Sequence, residues 1–319
     1  MSESNRELNG PQGAQTSTAG PLPFSPGRAA VRETEDTPGM DAETARKLRR
    51  SHLAMSFDRV APTYKTANVG YPEALIDAII DLSGIPAGGR ILEVGSGTGA
   101  ATMPFAAKGY RIVCVEPGPN MVRVARETFA GNSNVRVDGS TFEAWPLERQ
   151  AFDLVFSAHS LYWVKPNVRF VKTADALRSG GSLAYFKNVE IPGEAPVDMA
   201  IRRVVERYMP YPQVRRKEEV ERQFEATDHF DPPAKLMIPW SCEREAHLYV
   251  VSQSIRLDYY DIEEPKRSEF FAEMEKAIHA HGGRINVQYE AHLMISRRRR
   301  GAALWRRLAA LARRLTSGR

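Results

Sequence analysis

The chain has 319 residues, 44 Lys and Arg against 39 Asp and Glu, and two cysteines. That length suits one large domain with additions rather than three independent ones, and Cys114 and Cys242 cannot form a framework of several disulfides. The polar, acid-bearing start lacks the build of a secretory signal, no run reaches the roughly 18–20 apolar residues of a bilayer span, and no Cys/His spacing resembles a metal site, so a cytoplasmic protein is expected.

The net charge of +5 is unevenly placed. Residues 297–319 hold nine Arg and no acid, which leaves −4 for the rest of the chain. Leu304, Trp305, Leu308, Leu311, Ala312 and Leu315 share one helical face in this segment, and Arg306, Arg307, Arg313 and Arg314 another. A basic amphipathic helix of this kind fits an anionic membrane surface or an acidic partner, so peripheral membrane association is a second expectation. RNA phosphate is the rival ligand.

In chain order, residues 1–40 are rich in Gly, Pro, Ser, Thr and charge, and are expected to be disordered. A domain over 41–296 follows. It opens with helical patterns over 41–57 and 72–82, the second stopped by Gly84. From Arg90 short apolar strands alternate with amphipathic helices: strands over 91–94, 111–115, 135–137, 152–156 and 182–186, and helices over 100–108, 119–129 and 167–177. That alternation implies βαβ units and a parallel sheet. Residues 188–233, with Pro192, Pro196, Pro210, Pro212 and Pro232-Pro233, read as a helical cap insertion, with a charged helix near 214–225. Strands over 235–240 and 284–296, with helices near 243–253 and 264–281, would add an antiparallel edge. The expected fold is α/β: a doubly wound, mostly parallel seven-stranded sheet with an antiparallel C-terminal edge and a helical cap.

Chemistry concentrates at Glu93-Val94-Gly95-Ser96-Gly97-Thr98-Gly99, between a strand and a helix. Glycines there let the backbone turn tightly and approach a ligand closely, and the start of the helix offers N–H groups. Alone the segment is ambiguous. Gly95-x-Gly97-x-x-Ala100 also fits the dinucleotide fingerprint, and Glu116, at the end of the second strand, would bind ribose in either case.

Five further segments narrow the choice: Val115-Glu116-Pro117-Gly118-Pro119-Asn120-Met121, Phe142-Glu143-Ala144-Trp145-Pro146-Leu147, Phe152-Asp153-Leu154-Val155-Phe156-Ser157-Ala158, Leu177-Arg178-Ser179-Gly180-Gly181-Ser182-Leu183 and, upstream, Phe57-Asp58-x-x-Ala61-x-x-Tyr64. Together with the glycine turn they resemble the class I methyltransferases, and more narrowly their type 11-like small-molecule subgroup. The resemblance implies S-adenosyl-L-methionine as methyl donor and a small-molecule acceptor. It assigns the methionine end of the cofactor to Glu93 with Gly95, Ser96 and Gly97, and the ribose hydroxyls to Glu116 beside Pro117. It assigns the adenine surroundings to Thr141 and Phe142, packing on the ribose or adenine to Met121, and further cofactor contacts to Tyr64 and Ser157. Tyr71 is a second candidate wall. Thr141 stands where many relatives carry Asp, and Tyr162-Trp163 where many carry His-Trp.

His159, just past the fourth strand, is placed to take a proton from an acceptor. Tyr162 would line the acceptor pocket with Trp163. Positioning alone can drive methyl transfer from a sulfonium, so a dedicated base is not obligatory. The rival readings are an RNA- or membrane-associated methyltransferase that uses the arginine tail, and a cofactor-binding protein without turnover. Ser157-Ala158-His159-Ser160 differs from the Asn/Asp-Pro-Pro-aromatic motif of amino-directed base methyltransferases, which argues against a nucleic-acid acceptor.

Overall fold

The computed structural model describes residues 58, 61–209, 218–254, 256, 259 and 262–299. The segment expected to be disordered, the predicted helix over 41–57 and nearly all of the basic tail lie outside these residues.

The first elements are α1 (Ala61–Ala67) and α2 (Glu73–Ser83), followed by β1 (Arg90–Val94), α3 (Thr102–Ala107), β2 (Arg111–Val115), α4 (Pro119–Thr128), β3 (Val135–Asp138) and β4 (Phe152–Ala158). A short 3-10 turn at Leu161–Trp163 leads to α5 (Pro166–Ala176) and β5 (Leu177–Ile191). The remainder is α6 (Pro196–Tyr208), α7 (Glu218–Ala226), β6 (Ala234–Glu245), α8 (Ala246–Ser254), α9 (Lys266–His279) and β7 (Arg284–Arg297).

One seven-stranded sheet runs in the order β3-β2-β1-β4-β5-β7-β6. The first five strands pair in parallel, and β7 lies antiparallel to both β5 and β6. Only β7 is therefore reversed, and the edge strand β6 returns to the common direction. After β1 the chain builds outward to β3, then crosses back to lay β4 on the other side of β1. Ligands of open α/β sheets bind outside the carboxyl ends of the strands at such a reversal.

Both faces of the sheet are covered, so the central strands carry consecutive buried apolar residues, as in Leu154-Val155-Phe156. One face packs Leu92, Val155, Leu183 and Tyr185 beneath Phe170 of α5 and Phe224 of α7. The other packs Ile91, Ile112, Phe156 and Phe186 beneath Leu75, Ile76 and Ile79 of α2 and Phe105 of α3. The helix α2 ends where Gly84 adopts φ +61° and its N–H returns to Ile80 O.

The fifth strand differs from its sequence reading. It runs for 15 residues to Ile191, past the point assigned to a cap beginning at 188. Hydrogen bonding to β7 extends it, with Lys187 to Ile191 opposite His292 to Gln288. The apolar signal stops at Phe186 because the extension has no β4 neighbour and carries polar residues. This overhang supports a third core, in which Ile285, Val287 and Tyr289 of β7 pack with Phe270 and Met274 of α9, Tyr249 of α8 and Ile201 of α6. Among the described residues of the cap, α6 and α7 are its helices, so the charged stretch near 214–225 is helical from Glu218 onward. No helix among the described residues is long and apolar enough to cross a membrane.

Candidate active site

The glycine turn leaves β1 at the sheet's reversal point. Gly95, Gly97 and Gly99 all have positive φ (+74°, +55° and +94°), the left-handed region that favours glycine. Space matters as well at two of them. A Cβ on Gly95 would sit 2.5 Å from Ser160 Oγ, and one on Gly99 would sit 2.4 Å from a Phe129 ring carbon. At Gly97 the nearest atom to a Cβ would be Tyr64 Cε1 at 3.9 Å, so that glycine faces open space beneath α1.

The three glycine N–H groups of the turn are engaged within the protein rather than left at a helix start. Gly95 N donates to Val115 O (2.8 Å), Gly97 N to Glu116 Oε2 (2.9 Å) and Gly99 N to Ser96 O (3.0 Å). The helix that follows, α3, has only six residues and starts two later than its sequence pattern predicts. The turn is thus a backbone cradle closed by a carboxylate.

Glu93, the last but one residue of β1, is 0% exposed. Its Oε2 accepts a hydrogen bond from Thr102 Oγ1 (2.5 Å), while Oε1 has no partner. An unpaired buried acceptor costs about 1–3 kcal/mol and more when charged. Burial raises its pKa to about 8 against the pull of Thr102, and the Glu116 charge adds to the rise. A fully buried carboxyl with one empty acceptor is fitted to receive a cationic donor such as an amine. Ser96, next to it, is also buried with Oγ unpartnered.

Glu116 closes β2 and is 9% exposed. Besides Gly97 N it holds Gly118 N, through Oε1 (2.9 Å). Burial raises its pKa, the two backbone N–H groups lower it, and Asp58 raises it again. Asp58, upstream of α1, had no assigned role in the sequence reading beyond its motif, and the structure gives it one. It accepts Asn120 N (2.8 Å), Asn120 Nδ2 (2.9 Å) and Met121 N (3.0 Å), capping α4, whose own N-cap residue Gly118 makes no side-chain bond. Both carboxylates crowd Gly118, where a Cβ would lie 2.7 Å from Asp58 Oδ1 and 3.1 Å from Glu116 Oε1. This anchor seats α1 over the site, with Ala61 and Tyr64 against Met121 and Val124. Burial and the Glu116 charge raise the Tyr64 pKa.

The structure therefore brings Tyr64, Glu93, Gly95, Ser96, Gly97, Glu116 and Met121 together. Ser157 joins them from β4: its Oγ donates to Val94 O (2.9 Å), as does that of Ser160 (2.6 Å), which ties the ends of β1 and β4. Phe142 is buried beside Trp145, the rings 6.2 Å apart, and packs with Val94 and Val115. Thr141 and Pro117 are exposed, and the Thr141 hydroxyl accepts Ala144 N (3.2 Å) within its own turn.

His159 lies past β4 with φ +57°, its N–H donating to Phe186 O (2.8 Å), and its ring stands edge-on to Tyr162 at 6.2 Å. Tyr162 in turn packs against Trp163 at 4.9 Å. Tyr71 stands edge-on to Phe186 at 4.9 Å. Burial raises its pKa well above the usual tyrosine value, and the charges of Tyr64, Glu93, Tyr185 and Tyr162 add to the rise.

Among the described residues no cluster of three His, Cys, Asp or Glu could hold a metal ion. A depression of about 480 Å³ lined by Gly180, Asp231, Arg297, Arg298 and Arg299 lies at the opposite end of the sheet, at the start of β5. It is remote from the glycine turn, and the Arg299 side chain there already reaches Asp228 and Asp231.

Residues 92–185 match the methyltransferase domain family. An uncharacterized methyltransferase of Mycobacterium tuberculosis is 31% identical over 139 residues, which are 44% of this chain and 54% of that protein. The aklanonic acid methyltransferase of a Streptomyces species is 28% identical over 153 residues, 46% of this chain and 70% of that protein. The chain thus spans about half the length of the first of these relatives. A candidate type II methyltransferase from Anaeromyxobacter dehalogenans shares the fold, with a TM-score of 0.54 at 17% identity over 72% of this chain and 97% of that one. Residues 92–185 thus match a methyltransferase domain, and they hold the glycine turn and the reversal of strand order beside it, in a seven-stranded sheet of the fold that the Anaeromyxobacter structure shares.

Proposed function

We propose that the protein uses S-adenosyl-L-methionine to methylate a small molecule at an oxygen, nitrogen or carbon atom. The observation that carries this reading is the fully buried Glu93, whose Oε1 lacks a partner beneath a glycine cradle closed by Glu116. The amine of the methionine moiety fits that acceptor. The ribose hydroxyls fit Glu116, which would exchange its bond from Gly97 N for them. Tyr64 and Met121 would cover the sugar, and Phe142 the adenine.

When bound, the sulfonium supplies an activated methyl group: the acceptor's lone pair forms the new bond while the C–S pair stays on sulfur as a neutral thioether. The chain's share is then alignment, which in well-oriented cases lowers a barrier by about 7–11 kcal/mol. His159 stands where it could take the acceptor's proton if the acceptor arrives un-ionised. Tyr162 and Trp163 would wall the acceptor. The Streptomyces relative, named for aklanonic acid, supports a small-molecule acceptor.

Titration calorimetry with S-adenosyl-L-methionine and NAD tests the reading. Binding of the first and not the second is expected, with loss of affinity in Gly97→Arg and Glu116→Ala. Preference for NAD, or unchanged affinity in both variants, refutes it. Replacing His159 with Gln should flatten the pH profile of turnover if that residue is the base.

A further inference from the structure

The C-terminal half of the chain buries a charge without an acid to meet it. Arg244, in β6, is 8% exposed, and no carboxylate pairs with it among the described residues. Buried charges are ordinarily paired, because their lost hydration is otherwise uncompensated. A methionine would fill much of the same volume without that cost. The guanidinium instead meets two main-chain carbonyls, its Nη2 donating to Leu248 O of α8 (3.1 Å) and to Ala67 O (3.1 Å). Its Nε is buried without a partner. Leu248 is four residues away along the chain, whereas Ala67 is 177 residues away.

Ala67 is the last residue of α1, where helix carbonyls lack a partner within the helix and a cationic side chain is a favoured one. Asn68 N returns to Tyr64 O (2.9 Å), so the last turn of α1 holds both Tyr64 and the carbonyl that Arg244 takes. The helix touches α4 on one side and α8 on the other. Asp58 anchors its amino-terminal side to Asn120 and Met121 of α4. Beyond Ala67, Val69 packs into the C-terminal core, and Gly70 O accepts Asn188 Nδ2 (2.8 Å). The ground under this second anchor is fixed as well. Tyr249 and Gln253 of α8 both donate to Glu190 of β5 (2.8 and 3.1 Å). Between the two anchors Tyr64 is carried over the glycine turn, its Cε1 3.9 Å from where a Gly97 Cβ would sit.

We propose that Arg244 is a positioning residue for the methyl donor: it clamps the carboxyl end of α1 to the C-terminal half and so keeps Tyr64 over the glycine turn. This rests on the reading of the glycine turn and Glu116 as the methyl-donor site. The two anchors differ in kind. Lifting the carboxyl end of α1 returns the guanidinium to water, and that hydration offsets part of the loss of its bond to Ala67. Lifting the other end breaks three bonds from N–H groups to the Asp58 carboxylate. The end held by Arg244 is therefore the one that releases when the donor enters or leaves, and the end held by Asp58 stays.

The test uses the full chain and S-adenosylhomocysteine, with affinity and dissociation rate read by surface plasmon resonance. Arg244→Met should weaken binding by roughly tenfold, mostly through faster dissociation. Arg244→Lys, which keeps a cation able to donate to Ala67 O, should restore most of the loss. Arg244→Gln serves the same comparisons if the methionine variant does not fold. Tyr64→Ala should weaken binding by itself, and Arg244→Met added to it should have little further effect, because both act through one helix. Unchanged affinity in Arg244→Met, or effects that multiply in the double variant, overturn the proposal. Hydrogen exchange without ligand reads the clamp alone: the Asn68 amide should exchange faster in Arg244→Met, and an unchanged rate overturns the clamp. If wild type binds no S-adenosylhomocysteine while Asn68 exchange still responds, the donor-site reading falls, and the positioning role with it, while the clamp on α1 stands.

Discussion

The two halves of the sheet are built on different principles. The strands β1, β2 and β4 are short, parallel and largely buried on both faces, and main-chain N–H groups beyond their carboxyl ends are clasped by Glu116. From β5 to β7 the strands are long and pair antiparallel beyond the reach of β4, and their polar side chains meet partners from distant segments, Lys187 with Glu221 of α7 and Glu190 with Tyr249 of α8. A cradle made of backbone depends on glycines at fixed spacing and tolerates little change. A pocket made of side chains can be altered one residue at a time without disturbing the cradle. In this protein the two meet at Ser157, where β4 ties to Val94 and aligns with Tyr185.

Substitutions can break that contrast. The largest effect is expected from Gly99→Ala, which places a Cβ 2.4 Å from the Phe129 ring at φ +94°. Backbone strain and overpacking each cost about 1–3 kcal/mol, so urea denaturation should show a loss of about 2–5 kcal/mol. A wild-type midpoint would mean that the turn is not the rigid element described above.

Glu116→Ala comes next. It frees Gly97 N and Gly118 N and removes the proposed ribose ligand, so S-adenosyl-L-methionine affinity should fall by about 10- to 100-fold, as calorimetry would record. The pH dependence of Glu93 is expected to be of similar or smaller size. Its pKa is raised to about 8, so its contribution to stability is full below the ordinary carboxylate range and is lost as pH rises through about 8. Binding a cationic amine has the opposite sign, because it needs the ionised form. Affinity should therefore rise by on the order of tenfold between pH 6.5 and 8.5, with a proton released on binding near neutrality. Glu93→Gln should abolish both trends.

Asp58→Ala should cost about 1 kcal/mol by uncapping α4, with faster hydrogen exchange at the Asn120 and Met121 amides. An unchanged exchange rate there would detach α1 from the site. The smallest effect is expected at Lys108, whose Nζ reaches Glu73 and Asp77 across an exposed surface, so Lys108→Ala should leave the melting temperature unmoved.

Much of the first half was legible in the sequence. Ile91–Val94, Arg111–Val115 and Phe152–Phe156 are runs too apolar and too short for anything but buried strands, and the glycine turn and Glu116 follow them at spacings set by local geometry. The second half was harder to read. Lys187, Asn188 and Glu190 interrupt the apolar pattern of β5, so the strand's continuation to Ile191 depends on pairing with β7, about a hundred residues away along the chain. The cap function of Asp58 was hidden for the same reason, since its partners Asn120 and Met121 are distant in sequence.

The sequence by itself determined the strand–turn–helix that bears Gly95, Gly97 and Gly99, and the acids that flank it, because backbone φ preference and residue spacing are local properties. Only the tertiary structure decided what those residues face. Folding buried Glu93 against Thr102 and Cys114 with its Oε1 left unpaired, and closed the glycine turn with Glu116. Each of these depends on contacts between segments that the chain order keeps apart, and local pattern carries no record of such contacts.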